Sequence, residues 1–166
     1  QLHTDIFFSN LPYLLKGAVQ TIWLGVIGVS LGTILGAFLG IISATLGGSV
    51  NRIITVYVFI LRGIPVLVWM FLAYFMLPQF GIVIGDFTAV IGALALYCAA
   101  FVTESARGAI LSVPKHQTEA AKGLGMQKFT ILRLVVIPQA LTMSIAPTLN
   151  NSVMMIKATA YVSVVG

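Results

Sequence analysis

Residues 118–126 read TEAAKGLGM, a polar, glycine-punctuated stretch in a chain of 166 residues that is 59% hydrophobic and 8% charged. Lys115, Lys122, Lys128 and Arg133 surround it, so four of the nine Lys and Arg lie between positions 115 and 133. Pro114 suits the start of a short helix, because its φ is preset and its missing N–H has no helical partner there. KHQTEAAK then supplies helix-forming alanines, and Gly123 and Gly125 stop the helix before another begins near Gln127. The stretch therefore predicts a helix of about two turns within 114–125, held between two apolar runs. Its small Ala120 and Ala121 leave a low surface that another protein can cover. The alternative is a plain amphipathic loop at a lipid surface.

The surroundings are apolar. A mean hydropathy of +1.06 is far above that of soluble domains, in which about a quarter of residues are charged. The chain has too few charges to cover a soluble globule and reads as an all-α membrane protein, one domain over 1–166 with roughly four spans of about 20 residues. The first span runs from about Leu14 to Leu46. The second covers Ile53 to Leu77 and is interrupted by RGIP at 62–65. The third runs from Phe87 to Val102 or a little beyond, and the fourth from Leu134 to Ile156 with Pro138 and Pro147 inside it. None alternates as a barrel strand does. Leu2 to Leu15 is expected to form a short interfacial segment, with Trp23 just inside the membrane. No cleaved leader is expected, and the bare ending SVVG leads us to expect a further span beyond Gly166.

Basic residues set the orientation. The 112–133 segment holds four and is expected in the cytoplasm, as is the 47–52 link with Arg52. The 78–86 segment, PQFGIVIGD, holds none and is expected outside, which puts the N-terminus outside too. Lys16, near the outer end of the first span, is expected to snorkel. The isoelectric point of about 9.7 then reports orientation, with lipid rather than nucleic acid as the partner. His3 and His116 stand far apart and no metal site is expected. Cys98, the only cysteine, reads as a packed thiol.

Glycines 28, 32, 36 and 40 recur every four residues, a ridge suited to close helix approach within the bundle or against another subunit. In RGIP, Pro65 cannot donate a helical hydrogen bond and Gly63 loosens the turn before it. Arg62 is expected close to the cytoplasmic surface, either snorkelling or functional. Glu104 and Arg107 share one helical face and read as an intramembrane salt bridge or as a gate or ligand contact. Asn150, Asn151 and Ser152 suit packing or a polar path; Lys157 suits a carboxylate partner or snorkelling. No paired carboxylates, Ser/His/Asp set or phosphate-cradling loop is present. The chain is not expected to be an enzyme or to bind ATP itself.

The motif Glu119-Ala120-Ala121, three residues, Gly125, nine residues, Val135, one residue, Ile137-Pro138 resembles the signature of the inner-membrane permeases of ABC importers, with Val135 for Ile and Ile137 for Leu. RGIPVLVWMFLAYFMLPQFGI (62–82), AAFVTESARGAILSVPKHQTEAAKGLGM (99–126) and IPQAL (137–141) look like the polar amino acid permeases. His116 departs from the family's usual Gly and Trp69 from its frequent Gln, and Lys157-Ala158-Thr159-Ala160-Tyr161 departs from its Lys-Asp-Thr-Ser-Leu. The resemblance implies a type I importer domain of five core spans, about four of them present. It implies that Glu119, Ala120, Ala121, Gly123 and Gly125 form a coupling helix docking on a cytoplasmic ATPase, which binds the ATP and Mg. It also implies a second permease, identical or not, and an extracytoplasmic amino-acid-binding protein. Glu104, Arg107, Asn150 and Lys157 are the substrate-path candidates. Importers of other small solutes and ion-gradient-driven transporters remain as alternatives.

Overall fold

A computed structural model describes residues 2–82 and 85–161, and all its regular elements are helical. α1 (Leu2–Leu46) is followed after Gly47 by α2 (Gly48–Gly63), α3 (Val66–Phe71), α4 (Asp86–Ser112), α5 (Lys115–Gly123), α6 (Lys128–Ile131) and α7 (Ile137–Ala158). π-helical turns cover Leu72–Met76 and Leu132–Val136, and 3-10 turns cover Leu77–Phe80 and Thr159–Tyr161. The ending SVVG, and Val83 and Ile84 of the expected external link, lie outside the described residues.

α1 and α4 form the centre, and glycine makes that possible. A Cβ on Gly32 would stand 2.6 Å from the Cys98 Cβ, one on Gly36 2.6 Å from the Ala99 carbonyl oxygen, and one on Gly40 2.6 Å from the Ala106 Cβ. Gly28 meets Leu94 in the same way. The ridge therefore packs within the chain, and Gly48, two further steps of four along the sequence, meets nothing. The partner residue on α4 advances four positions for every four along α1, so the two helices run parallel. Cys98 is fully buried at this seam, its Sγ 3.9 Å from the Val29 carbonyl oxygen.

Parallel α1 and α4 require the chain between them to return to its starting side. α2 begins this return, joined to α1 where Ser43 Oγ donates to Asn51 Oδ1 at 2.6 Å. It packs Ile54 and Val58 on Ala100, and Tyr57 donates its hydroxyl to the Leu96 carbonyl at 2.6 Å. The return is not one straight helix, because the axis turns by 99° between Gly48–Gly63 and Val66–Phe80. Ile64 is extended (φ −116°, ψ 134°), as a residue before proline prefers, and Pro65 caps the restart. Among the described residues, three helices are each long and apolar enough to cross a membrane, four crossings if the bent pair is one.

A break in lipid must still satisfy its backbone. Pro65 has no N–H to give the Leu61 carbonyl, and the Trp69 indole Nε1 donates to that oxygen instead, at 3.3 Å. The two π turns have a related cause. Each ends two residues before a proline, Pro78 or Pro138, whose ring displaces the carbonyl four residues earlier. At the second, Gln139 Nε2 donates to the Val135 carbonyl at 2.9 Å.

α7 runs antiparallel to α4. Ala140 near its start packs with Ala109, and Thr159 beyond its end reaches Gly25 of α1. Its outer face, with Leu141, Ile145, Leu149 and Val153, is exposed, as are Trp23, Ile34 and Phe38 of α1. Such faces suit lipid or further helices.

Two expectations are corrected. Leu2 to Leu15 is no separate segment: the helix runs unbroken through Pro12 to Leu46, since no second breaker stands beside Pro12. At about 1.5 Å per residue it is about 67 Å long, over twice the hydrocarbon thickness. Arg62 is not at the helix ends beside α5. Its guanidinium lies 4.8 Å over the Phe101 ring, midway along α4, because α2 has already climbed most of its length by residue 62.

Gly36→Val should disrupt the α1–α4 seam, lowering the melting temperature and monodispersity of the detergent-solubilised protein; overpacking of this kind costs about 1–3 kcal/mol. Gly92→Ala, with nothing within 4 Å of the added methyl, should behave as wild type. Trp69→Phe should destabilise by about 1–3 kcal/mol through the orphaned Leu61 carbonyl, and Trp69→Gln, which keeps a side-chain N–H, by less. Thermal unfolding of the two variants in one detergent checks this.

Candidate functional site

α5 sits across the end of the bundle where α4 finishes and α7 begins. Pro114 (φ −58°, ψ 131°) caps its start, and the Gln117 N–H donates to the Pro114 carbonyl at 3.0 Å. Its end is closed by a Schellman arrangement. The Met126 N–H donates to the Ala121 carbonyl at 3.2 Å, and the Gly125 N–H to the Lys122 carbonyl at 2.9 Å. Gly125 has φ +77°, a conformation that costs a residue with a Cβ about 1–2 kcal/mol. Gly123 remains helical, as the last residue of α5, so Gly125 is the stop.

The faces of α5 differ. Ala121 is 5% exposed and packs in a cluster with Ala109, Val113, Ile131, Val136 and Ala140, and Met126 packs beside it. Ala121 is therefore not part of an outward surface. Glu119, Ala120 and Lys122 are exposed. The low outward surface is Ala120, beside the carboxylate of Glu119.

The path candidates do not converge on one point. Arg107 and Glu104 pair at 3.5 Å on α4, with their side chains 32% and 47% exposed. The Arg107 Nε is buried with no partner among the described residues. Asn150 is exposed, and the amide that crosses between helices belongs to Asn151, whose Nδ2 donates to Ser105 Oγ at 3.0 Å. Lys157 lies elsewhere, lining a cleft of about 470 Å³ with Pro65, Tyr97 and Met154. Tyr97 and Phe101 were missed from the sequence, although their four-residue spacing on the third span puts them on one face. Their ring centroids are 5.2 Å apart, and the Arg62 guanidinium lies over the Phe101 ring. Among the described residues no group of three His, Cys, Asp or Glu comes together.

Parallel apolar helices around a glycine seam, a broken span, and a short polar helix braced across one end define a helical membrane protein. Residues 32–166 match the family described as the binding-protein-dependent transport system inner membrane component, and the chain belongs to it. It is 32% identical over its whole length to the glutamine transport system permease protein of Escherichia coli (strain K12), covering 77% of that protein. It is 33% identical to the L-cystine transport system permease protein of Bacillus subtilis (strain 168), over 92% of this chain and 65% of that one. Among solved structures, an amino acid ABC transporter crystallised with histidines superposes with a TM-score of 0.85 at 34% identity, over 96% of this chain and 76% of that one. The methionine ABC transporter MetNI in an inward-facing conformation shares the fold, with a TM-score of 0.77 at 23% identity, over 92% of this chain and 74% of that one. The chain is thus an ABC-type permease with amino acid permeases among its relatives.

Gly125→Ala should loosen the end of α5 by about 1–2 kcal/mol and Ala121→Gln should expel the helix from its seat. Both should speed limited proteolysis between α4 and α7, while Glu119→Gln, on the exposed face, should leave the digestion rate unchanged.

Proposed function

We propose that this chain is the permease subunit of an ATP-driven importer for polar amino acids, and that α5 receives the motion of a separate ATPase. The observation that carries the coupling role is the division of α5 into two faces. Ala121 seats the helix against α4 and the start of α7 and the Gly125 cap closes its end, while the side chains of Glu119 and Ala120 stand exposed. A helix seated in this way moves with the bundle as one body, which a coupling element needs. Gly123, the last helical residue, keeps the space beside it open.

The relatives' named solutes support the amino acid class. The four cations between 115 and 133 support a cytoplasmic α5. Since α1 and α4 are parallel and both end beside α5, the N-terminus then lies outside. The 166 residues act as one permease domain. A second permease completes the solute path, an external binding protein delivers the amino acid, and the partner ATPase holds ATP and Mg. Closure of the ATPase subunits moves α5, and the bundle alternates its opening between the two sides. Glu104, Arg107 and Lys157 line this chain's part of the path, with Asn151 replacing Asn150 as the amide that ties α7 to α4.

Mild solubilisation of the tagged full-length protein should retain a stoichiometric P-loop ATPase, identified by mass spectrometry. In proteoliposomes holding the complex and its binding protein, Glu119→Lys and Ala120→Arg should each reduce ATP-driven uptake to background without reducing membrane insertion. Uptake that persists without ATP would sink this reading.

A further inference from the structure

An apolar groove of about 430 Å³ runs between α1 and α7. Thr33, Ala37 and Ile41 line it from α1, Ile110 from α4, and a row from Ile137 to Leu149 from α7. It shares no residue with the cleft beside Lys157. At about 1.5 Å per residue, its α1 and α7 sides are about 12 Å and about 18 Å long. That is close to one leaflet, about 15 Å or half of a hydrocarbon core of about 30 Å. The volume over this length leaves a cross-section of roughly 25–35 Å², against roughly 80–110 Å² for a helix about 10–12 Å across. A single hydrocarbon chain fits in the groove, whereas a helix enters only by one ridge of side chains.

One mouth of the groove is cationic. Ile41, Ile110 and Ile137 are the lining residues nearest the α5 end of their helices. Arg133 stands four residues before Ile137, one turn further on along the same face. Phe129 stands four residues before Arg133 and is 71% exposed. Arg133 and Lys128 are exposed as well. Among the described residues neither cation pairs with a carboxylate, and Glu104 is taken by Arg107. An apolar slot one leaflet long, then an exposed aromatic ring and two cations, repeats the layers of one phospholipid from chain to phosphate. The Arg133 fork matches a phosphate group. A ridge of side chains from another helix gives no reason for these charges.

We infer that the groove between α1 and α7 seats an acyl chain of an anionic phospholipid, and that Arg133, with Lys128 beside it, holds the headgroup. A zwitterionic lipid offers the same chain and phosphate, but its ammonium group meets the two cations unfavourably. The site therefore discriminates by headgroup charge. This reading needs no solute or ATPase and stands apart from the importer reading.

Lipid binding to the solubilised full-length protein tests it, by titration read in native mass spectrometry. The probes are dioleoyl phosphatidylglycerol, dioleoyl phosphatidylcholine and inorganic phosphate. Phosphatidylglycerol should bind at least about tenfold tighter than phosphatidylcholine, the worth of one charge-assisted contact. Arg133→Gln should remove most of that preference, Arg133→Lys should keep it in part, and Lys16→Gln, toward the other end of α1, should leave it unchanged. Ser144→Phe, which fills the groove from α7, should weaken both lipids alike, and excess inorganic phosphate should not displace bound phosphatidylglycerol. If Ser144→Phe fails to fold, Ala37→Leu on the facing side decides; if Arg133→Gln does, Arg133→Lys and the wild-type ranking decide. Equal binding of the two lipids, a preference unchanged in Arg133→Gln, or binding undiminished by filling the groove overturns the inference. So does displacement by phosphate, which marks a surface anion site only. A groove-filling variant that lowers the dimer population and leaves lipid retention intact assigns the groove to a second copy instead.

Discussion

The bundle depends on how closely α1 approaches α4. In a hydrocarbon medium, helices gain nothing from hiding apolar side chains, since lipid tails are as apolar as leucine. What remains is contact between surfaces that fit, and glycine lets backbone reach backbone. At Gly32, Gly36 and Gly40 the facing atoms lie closer than any Cβ tolerates. The seam sets the two helices parallel and in one register, and every other element follows. α2 and α3 must bring the chain back, and α7 closes the remaining side of α4.

Proline imposes the second constraint. Pro65, Pro78 and Pro138 each remove a donor from a helix that has no water to replace it. Each loss is met locally, by the Trp69 indole at the first and by a π turn before the other two. These solutions make the second crossing a bent element, and they expose a concave side where Pro65, Tyr97 and Lys157 meet. A broken span thus creates the opening that a straight helix would have filled.

Much of this was legible in advance, for physical reasons. Hydropathy showed the spans, and the four-residue glycine period showed the seam, because both are local properties of the chain. RGIP announced a break through the geometry of proline itself. What could not be read were relations between distant elements. Arg62, just before the restart at Pro65, was expected close to the cytoplasmic surface, yet the rise of α2 carries it to the middle of α4, over Phe101. Ala120 and Ala121 look alike in sequence. Only the seat formed by Ala109, Val113 and Val136 turns one inward and leaves the other outside. Asn150 and Asn151 pose the same problem, since a helix turns about 100° per residue and only one of them can face Ser105.

α5 joins the two themes. Its position is set by an apolar contact at Ala121 and its length by the left-handed turn at Gly125, two features separated by four residues because a Schellman cap requires that distance. The spacing from alanine to glycine in the motif is therefore a folding constraint before it is a functional one. The cap returns Met126 to Ala121, and the chain enters α6 and α7 with no flexible joint beyond Gln127. A push on the outward face at Glu119 has no slack segment in which to dissipate. It must move α4, α7 or both, and α4 is bound by the glycine seam to α1. The same close packing that holds this fold together joins the seat of α5 through α4 to α1 and to the broken span.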